Sequence, residues 1–436
     1  MRKFPVFALS LLFLLRLDIF AQSTALTLDD AVNLAIENNL NLQKHRIDLA
    51  ASGYSERNLW AEIFPTVNAS AGVGYTTNLF SDIQPLRSGR NYNIGFGINL
   101  GLNAGIPYTM RNIRLAHQGN ILRYEDAKNQ LSIHVTKIFY ALVAEQNNLL
   151  LLNEVFDLAQ RQFTRSETLF RNGLVGELSL TQSRLALENA RYNLSAARIS
   201  YENNMFDFLA MIGIQSGGSI TLSGNVSIVK IEADAEALIN KYLNMRPDIS
   251  RIRQEIERFH NMQIQAVMQN RAPSLNLSLD WGSSAFNPFA DSLSASARVN
   301  IPIDPWIPGT SRNQVIQRAS DSTEKAKLDL EMTENAARTQ IRSLSTMLRN
   351  SWDSIRIARL GLEAAQRNYQ LTEQGFLNGV IEALTLQDSR NNMANARQRL
   401  LQAELSYFNM ILDLSAALNI DWKNFIENHG APNEEN

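Results

Sequence analysis

Few residues in this chain have the types and spacing that catalysis or metal binding would need. The five histidines, His45, His117, His134, His260 and His429, are scattered, with no HExxH and no metal-ligand pair at helical spacing. Each reads as a surface or packing residue. No Ser-centred nucleophile elbow or phosphate-cradling glycine loop occurs, and Ser216-Gly217-Gly218-Ser219 reads as a linker. Cysteine is absent, which removes disulfide frameworks, thiolate metal sites, thiol nucleophiles and an N-terminal lipid anchor together. The net charge of -2 offers no polyanion-binding surface, so nucleic acid is not an expected partner. An enzyme would need a mechanism these residues do not display, and neither cofactor nor metal is expected.

Hydrophobic residues make up 45% of the chain, ample for a core, and charged residues only 19%. Residues 1–21 read as a secretory signal: Arg2 and Lys3 supply the positive start, and Ala8–Leu15 an apolar run too short to span a bilayer. Cleavage after Ala21 fits, although Ile19 is large for its place; an uncleaved anchor is opposed by Arg16 and Asp18 within the run. No later stretch has the length and apolarity of a membrane helix, which leaves an exported soluble protein or a β-barrel.

The chain repeats itself. Arg161-Gln162-Phe163, Asn172-Gly173 and Leu178-Ser179-Leu180 match Arg367-Asn368-Tyr369, Asn378-Gly379 and Leu384-Thr385-Leu386, all at an offset of 206 residues. Ala190-Arg191 and Ser200-Tyr201 match Ala396-Arg397 and Ser406-Tyr407 in the same register. One unit, in the order helix, two strands, long helix, second helix, is used twice.

Four segments alternate with period two. Residues 66–76 place Val67, Ala69, Ala71, Val73 and Tyr75 opposite Asn68, Ser70, Gly72 and Gly74. Residues 92–103 set Tyr92, Ile94, Phe96, Ile98, Leu100 and Leu102 against Asn93, Gly95, Gly97, Asn99, Gly101 and Asn103. The second copy gives Leu275, Leu277, Leu279 and Trp281, then Leu293, Ala295, Ala297, Val299 and Ile301. Each run has the roughly ten residues a tilted strand needs to cross hydrocarbon. A half-buried soluble sheet would alternate too. Lipid is favoured by a small, uncharged polar face and by aromatics near strand ends (Phe80, Trp281, Phe286, Phe289, Trp306). The long polar links around 77–91 and 282–292 resemble external loops. Four strands cannot close a barrel when about eight is the minimum, so several chains must share one.

Beyond Gly105 and Pro107, and beyond Pro302, Pro305 and Pro308, long helical stretches begin. The first, about 108–171, would reach roughly 95 Å. From Leu131 its seam positions step by four and three, through Val135, Ile138, Leu142, Glu145, Leu149, Leu152, Phe156, Ala159, Phe163, Ser166 and Phe170, nearly all apolar, a period that argues for supercoiled packing. The returning helix does the same through Leu180, Leu187, Ala190, Leu194, Ala197, Tyr201 and Phe208, and its copy through Met393 to Leu414. Asn172-Gly173 and Asn378-Gly379 are the left-handed residues expected where such helices end.

On these residues the chain resembles the TolC family of outer-membrane channels over nearly all of its mature length. Leu26-Thr27-Leu28-Asp29-Asp30-Ala31-Val32-Asn33-Leu34-Ala35 looks like that family's opening helix, with Thr27 and Asp30 reading as a capping box. Gly173-Leu174-Val175-Gly176-Glu177-Leu178-Ser179 is similar to its hairpin-tip motif. The resemblance implies a mainly α protein whose duplicated long hairpins form a trimeric α-barrel, with four strands per chain given to a shared 12-stranded membrane β-barrel. It implies a passive exit duct receiving substrate from an inner-membrane RND or ABC pump through a periplasmic adaptor (membrane fusion) protein. A structural periplasmic coiled-coil scaffold would explain the heptads but not the four Gly/Asn-lined strands.

The order that follows is signal peptide 1–21, N-terminal helices 22–65, β-hairpin 66–104 and helical hairpin 105–213. An equatorial segment 214–240 precedes the second copy: helix 241–272, β-hairpin 273–303, helical hairpin 304–418 and an equatorial tail 419–436. By match to the tip motif, Val175, Gly176 and Ser179 are implied adaptor contacts, with Asn172 and Gly173 shaping the turn. Asn378, Gly379 and Thr385 are the counterparts. One departure stands out. Phe376 takes the place of a tyrosine that closes the tip in some members, and no arginine lies between Gly379 and Gln387. Glu177, Glu382 and Asp388 either ring the aperture with negative charge or are solvated helix-end carboxylates.

Overall fold

The structure, a computed structural model, describes residues 25–76, 89–214, 220–224, 228–285, 289–378 and 380–430. The signal segment, Phe80, the linker 216–219, Phe286 and Gly379 lie outside the described residues. In chain order the elements are β1 (Ala25–Leu26), α1 (Leu28–Asn38), α2 (Leu40–Arg57), β2 (Thr66–Thr76), β3 (Gly89–Asn103), α3 (Ile106–Arg171), α4 (Glu177–Met211) and β4 (Thr221–Leu222). There follow α5 (Ala235–Tyr242), α6 (Pro247–Arg271), β5 (Ser274–Ala285), β6 (Phe289–Asn300), α7 (Ser311–Leu377), α8 (Ala383–Leu418) and α9 (Trp422–His429). The chain divides into two compact units. One contains the described residues up to Lys44, Glu125–Arg246 and those from Ala336 onward; the other contains His45–Tyr124 and Pro247–Asn335.

In the second unit, β2, β3, β5 and β6 pair antiparallel in that order into a four-stranded sheet. Register follows the alternation: Val67 faces Ile98, Phe96 faces Trp281 and Leu279 faces Ala295, so one face collects the apolar residues of all four strands. The Phe96 and Trp281 rings stack at 5.7 Å. Val67, Val73, Tyr75, Ile94, Leu293 and Val299 remain exposed on that face, an apolar surface that nothing covers among the described residues. The opposite face is mostly small and polar, but it is not uncharged as the alternation suggests, since the second copy places Asp280 and Arg298 on it. Glycines there admit side chains from the next strand: a Cβ at Gly72 would stand 2.5 Å from Asn93 Oδ1. β2 and β6 are the sheet's two edges. Pro107 sits in the first turn of α3, where its missing N–H costs nothing.

The first unit is built on the helical hairpins. α3 and α7, of 66 and 67 residues, contribute Glu125–Arg171 and Ala336–Leu377 to this unit. Their heptad positions are the ones that bury. Val135 and Leu142 on α3, Leu187, Ala190, Leu194 and Phe208 on α4, and Tyr407 and Leu414 on α8 are all inaccessible or nearly so. The densest core joins Val135, Phe139 and Leu142 to Met205, Phe208 and Ile212, with Phe408 and Leu412 from α8 and Ala31 and Ala35 from α1. Ala31 and Ala35, one helical turn apart, give α1 a flat face for this packing.

The capping box differs from its sequence expectation. Thr27 Oγ1 accepts from Asp30 N at 3.3 Å, but the Asp30 carboxylate takes the Thr27 hydroxyl at 2.6 Å. Aspartate is one methylene shorter than the usual glutamate and bonds the hydroxyl instead of reaching back to the Thr27 backbone N–H. Residues 228–231 and the C-terminal segment meet at an Ile231–Gly430 bridge. Tyr407 Oη, wholly buried, pins that region: it accepts from Ile231 N at 2.8 Å and donates to the Val229 carbonyl at 3.0 Å.

Candidate functional site: the two hairpin tips

Both tips belong to the first unit, and both follow from how a helix ends. At the α3–α4 turn, Leu174 N donates to the Leu169 carbonyl and Gly173 N to the Phe170 carbonyl, each at 2.9 Å. That pair is a Schellman motif, which needs a left-handed residue between the helix and its last bond. Gly173, at φ 71°, supplies it alone; Asn172 keeps negative φ, so of the two residues expected to be left-handed only the glycine is. At the second tip Val380 N donates to the Gly375 carbonyl at 2.9 Å, the same bond 206 residues on. Asn172 N to the Thr168 carbonyl and Asn378 N to the Gln374 carbonyl repeat the correspondence. The duplication thus extends to single backbone bonds.

Gly176 then caps α4 in extended backbone (φ -80°, ψ 163°), and open space surrounds the position a Cβ would take. Asn172, Gly176 and Glu177 are exposed, and Val175 and Ser179 half-buried. Around the second tip Asn378, Glu382, Thr385 and Asp388 are exposed. Glu382 occupies the cap position without a side-chain capping bond. The structure gathers Asn172 to Ser179 in one turn and places Asn378, Glu382, Thr385 and Asp388 around the other.

Sequence reading missed the apolar residues there. Leu174, 70% exposed, and Val380, 81% exposed, are counterparts in the repeat, as are the exposed Leu178 and Leu384. A matched apolar pair therefore projects from each tip, and its signal was the repeat itself, since both pairs obey the common offset. The tips are not identical, however. Gly375 replaces the first copy's Leu169, and a Cβ there would stand 2.6 Å from Ile381 Cδ1. Ile381 folds onto the bare helix at that point.

Phe376, read as a departure from tyrosine, receives the Arg165 guanidinium over its ring at 5.7 Å, tying α7 to α3. A tyrosine–arginine pair lies higher on the second hairpin. Arg390 donates to Tyr369 Oη at 3.5 Å, and that hydroxyl donates to Glu373 Oε1 at 2.7 Å. Tyr369 and Arg390 stand nearly equidistant from the turn, the condition for facing each other across a hairpin, so this pair was also legible. Within the first hairpin, Glu145 occupies a seam position. Burial raises its carboxyl above the ordinary range, against the opposing effect of a 2.8 Å bond donated by Asn204. Among the described residues no group of three or more His, Asp or Glu side chains is placed to hold a metal.

α4 carries one further feature. Leu178, Leu185, Tyr192, Ile199 and Phe206 recur every seventh residue, and each is more than half exposed. Their counterparts on α8 are Leu384, Asn391, Gln398, Leu405 and Leu412. Asn391, Gln398 and Leu405 look onto α3 of the same chain across two cavities, of about 400 and 300 Å³, lined by Asn148, Ala141 and Ala144 among others. Glu154 of α3 pairs with Arg397 of α8 at 3.7 Å on this same seam.

Comparison with known proteins accords with this architecture. The chain is 22% identical over 407 residues to the toluene efflux pump outer membrane protein TtgC of Pseudomonas putida, covering 91% of this chain and 83% of that one. Its fold matches the CmeC outer membrane channel of Campylobacter jejuni with a TM-score of 0.74 and 18% identity, over 92% of this chain and 88% of the other. The MtrE outer membrane channel of Neisseria gonorrhoeae in its open state matches at 0.69 and 18%, over 90% and 89%. The outer membrane efflux protein family matches residues 31–213 and 238–419, one block on each copy of the repeat. The chain belongs to the outer membrane efflux protein family, whose work is transport across the outer membrane.

Proposed function

We propose that three copies assemble into a passive exit duct, a shared outer-membrane β-barrel continued by a ring of long helical hairpins. An inner-membrane pump of the RND or ABC type delivers cargo to it through a periplasmic adaptor. The observation that carries this reading is the sheet: four strands, two open edges and one exposed face that is apolar except for Arg90, Ser283 and Asp291 near the strand ends farthest from the helices. Open edges in hydrocarbon leave backbone groups unsatisfied at several kcal/mol each, so β2 of one copy must pair with β6 of the next. Three four-stranded sheets close as twelve strands, comfortably above the roughly eight a barrel needs.

The helical stripe supports the same ring. α8 faces α3 within one chain, and by the repeat α4 should face an α7 in the same way. The residues of α7 equivalent to Ala141, Leu151 and Glu154 are Met347, Ile357 and Leu360, all exposed and apolar. They match the uncovered stripe of α4, which on this reading meets the α7 of a second copy. Such a contact is head-to-tail, and head-to-tail contacts form a ring where the rotation closes, as three shared four-stranded sheets would require.

At the free ends of the hairpins the apolar pairs Leu174/Leu178 and Val380/Leu384, with Val175, Gly176 and Ser179, form the adaptor surface. Asn172 and Gly173 shape the first turn, and Asn378, Gly379 and Thr385 belong to the second. Glu177, Glu382 and Asp388 would line the entrance of a three-fold ring with carboxylates and favour cations there.

The test is the protein mass by light scattering after extraction from an outer-membrane fraction in mild detergent. Three times the chain mass, stable in that detergent, is expected. A monomer recovered from the soluble fraction without detergent would overturn the duct.

A further inference from the structure

The polar face of the sheet carries very little charge. Among the described residues it holds Thr66, Asn68, Ser70, Asn93, Asn99, Asn103, several glycines and a column of serines, with two charged side chains, Asp280 on β5 and Arg298 on β6. Neither is in an ion pair among the described residues. Asp280 sits in a row that crosses the whole sheet: Asn68 pairs with Gly97, Gly97 with Asp280, and Asp280 with Ser294. The row's glycine is what admits the carboxylate. Asp280 Oδ1 lies 2.7 Å from the point a Cβ at Gly97 would occupy, so the side chain rests across the neighbouring strand instead of standing free. Arg298 faces Asn276 four residues farther along β6, close to the end that leads into α7.

We propose that Asp280 and Arg298 are charge-selecting residues of the exit path. Arg298 forms a cationic belt at its inner end, and Asp280 an anionic belt nearer the outside that draws cationic cargo onward. This rests on the shared barrel proposed above, in which the polar face lines a wet lumen and each charge recurs three times. The spacing keeps the belts independent. Four residues of strand are about 13 Å, against a screening length of about 8 Å at physiological salt. Each belt therefore acts on what passes it without being cancelled by the other. Among the described residues the other side chains of the polar face are neutral, so the potential at each level follows its own belt.

The absence of cysteine makes the test direct. Single reporters Ser294→Cys, beside Asp280, and Asn276→Cys, beside Arg298, are introduced into the assembled protein. Their rates of modification by a cationic and an anionic methanethiosulfonate of similar size are compared. At physiological salt, where the belts are screened from each other, the cationic reagent should win at Ser294→Cys by about tenfold, the lower end of focusing by one-signed clefts. Asp280→Asn should bring that ratio close to one, as should 1 M salt, where screening shortens to about 3 Å. At Asn276→Cys the preference should reverse, and Arg298→Gln should abolish the reversal. A ratio near one at Ser294→Cys with Asp280 in place, or one indifferent to Asp280→Asn, would overturn the proposal while leaving the barrel standing. If Ser294→Cys reacts no faster than Ala295→Cys on the opposite face, the lumen is not wet. The barrel reading and the proposal would then fall together.

Discussion

Gly176 and Tyr407 show how differently two single residues can matter. Gly176 has extended backbone and empty surroundings, so a large side chain meets nothing within its own chain. Gly176→Trp should keep the assembly and its thermal stability while abolishing transport, because it obstructs the surface assigned to the adaptor. Full transport by a normally expressed variant would remove that position from the tip surface. Tyr407 is the opposite case, buried and bonded at both ends. Tyr407→Phe leaves the Ile231 N–H and the Val229 carbonyl without their partner and should cost about 1–3 kcal/mol in denaturant unfolding. Burial pushes the phenol up from 10.0 to about 12, so the folded state resists ionisation. Its contribution is complete below pH 10 and is lost as pH rises through about 12. The stability gap between wild type and Tyr407→Phe should accordingly narrow across that window; a constant gap would mean the hydroxyl does not titrate as its burial requires.

Helices and strands here present one face to their own chain and reserve another. On α4 the buried series Ser183, Leu187, Ala190 and Leu194 faces inward, while Leu178, Leu185, Tyr192, Ile199 and Phe206 share a second face of the same helix. Leu185→Glu combined with Tyr192→Glu leaves the first series untouched. Secondary structure should persist by circular dichroism, while the trimer fraction in light scattering falls sharply, since two carboxylates would be desolvated against α7. Undiminished trimer would mean the stripe has another partner. The repeat is also where the copies have diverged most usefully. α8 carries Asn391 and Gln398 where α4 has Leu185 and Tyr192, so the seam within a chain is lined with amides and the exposed one is apolar.

For the molecule as a whole, the sequence was informative wherever a period repeated. Alternation over 66–76 corresponds to β2 residue for residue, and heptads in α3 and α4 mark the buried seam. Boundaries were softer: β3 starts at Gly89, three residues before the alternation becomes clean, because pairing with β2 extends past the last unambiguous apolar residue. The tip turns were readable from Asn-Gly, but the exposed leucines and valine beside them were not sought, since apolar residues beside a turn ordinarily signify core. Thr27 caps α1 as expected, and only the reciprocal bond from Asp30 to the Thr27 backbone is lost, over a single methylene. The open-edged sheet has a final consequence, for biogenesis. In the proposed duct of three copies, a single copy carries two unpaired edges and an uncovered apolar surface until it meets two others. Assembly thus competes, at a rate steep in the supply of chains, against mispairing and proteolysis. For such a chain, the amount delivered to the envelope per unit time is itself a determinant of whether it folds.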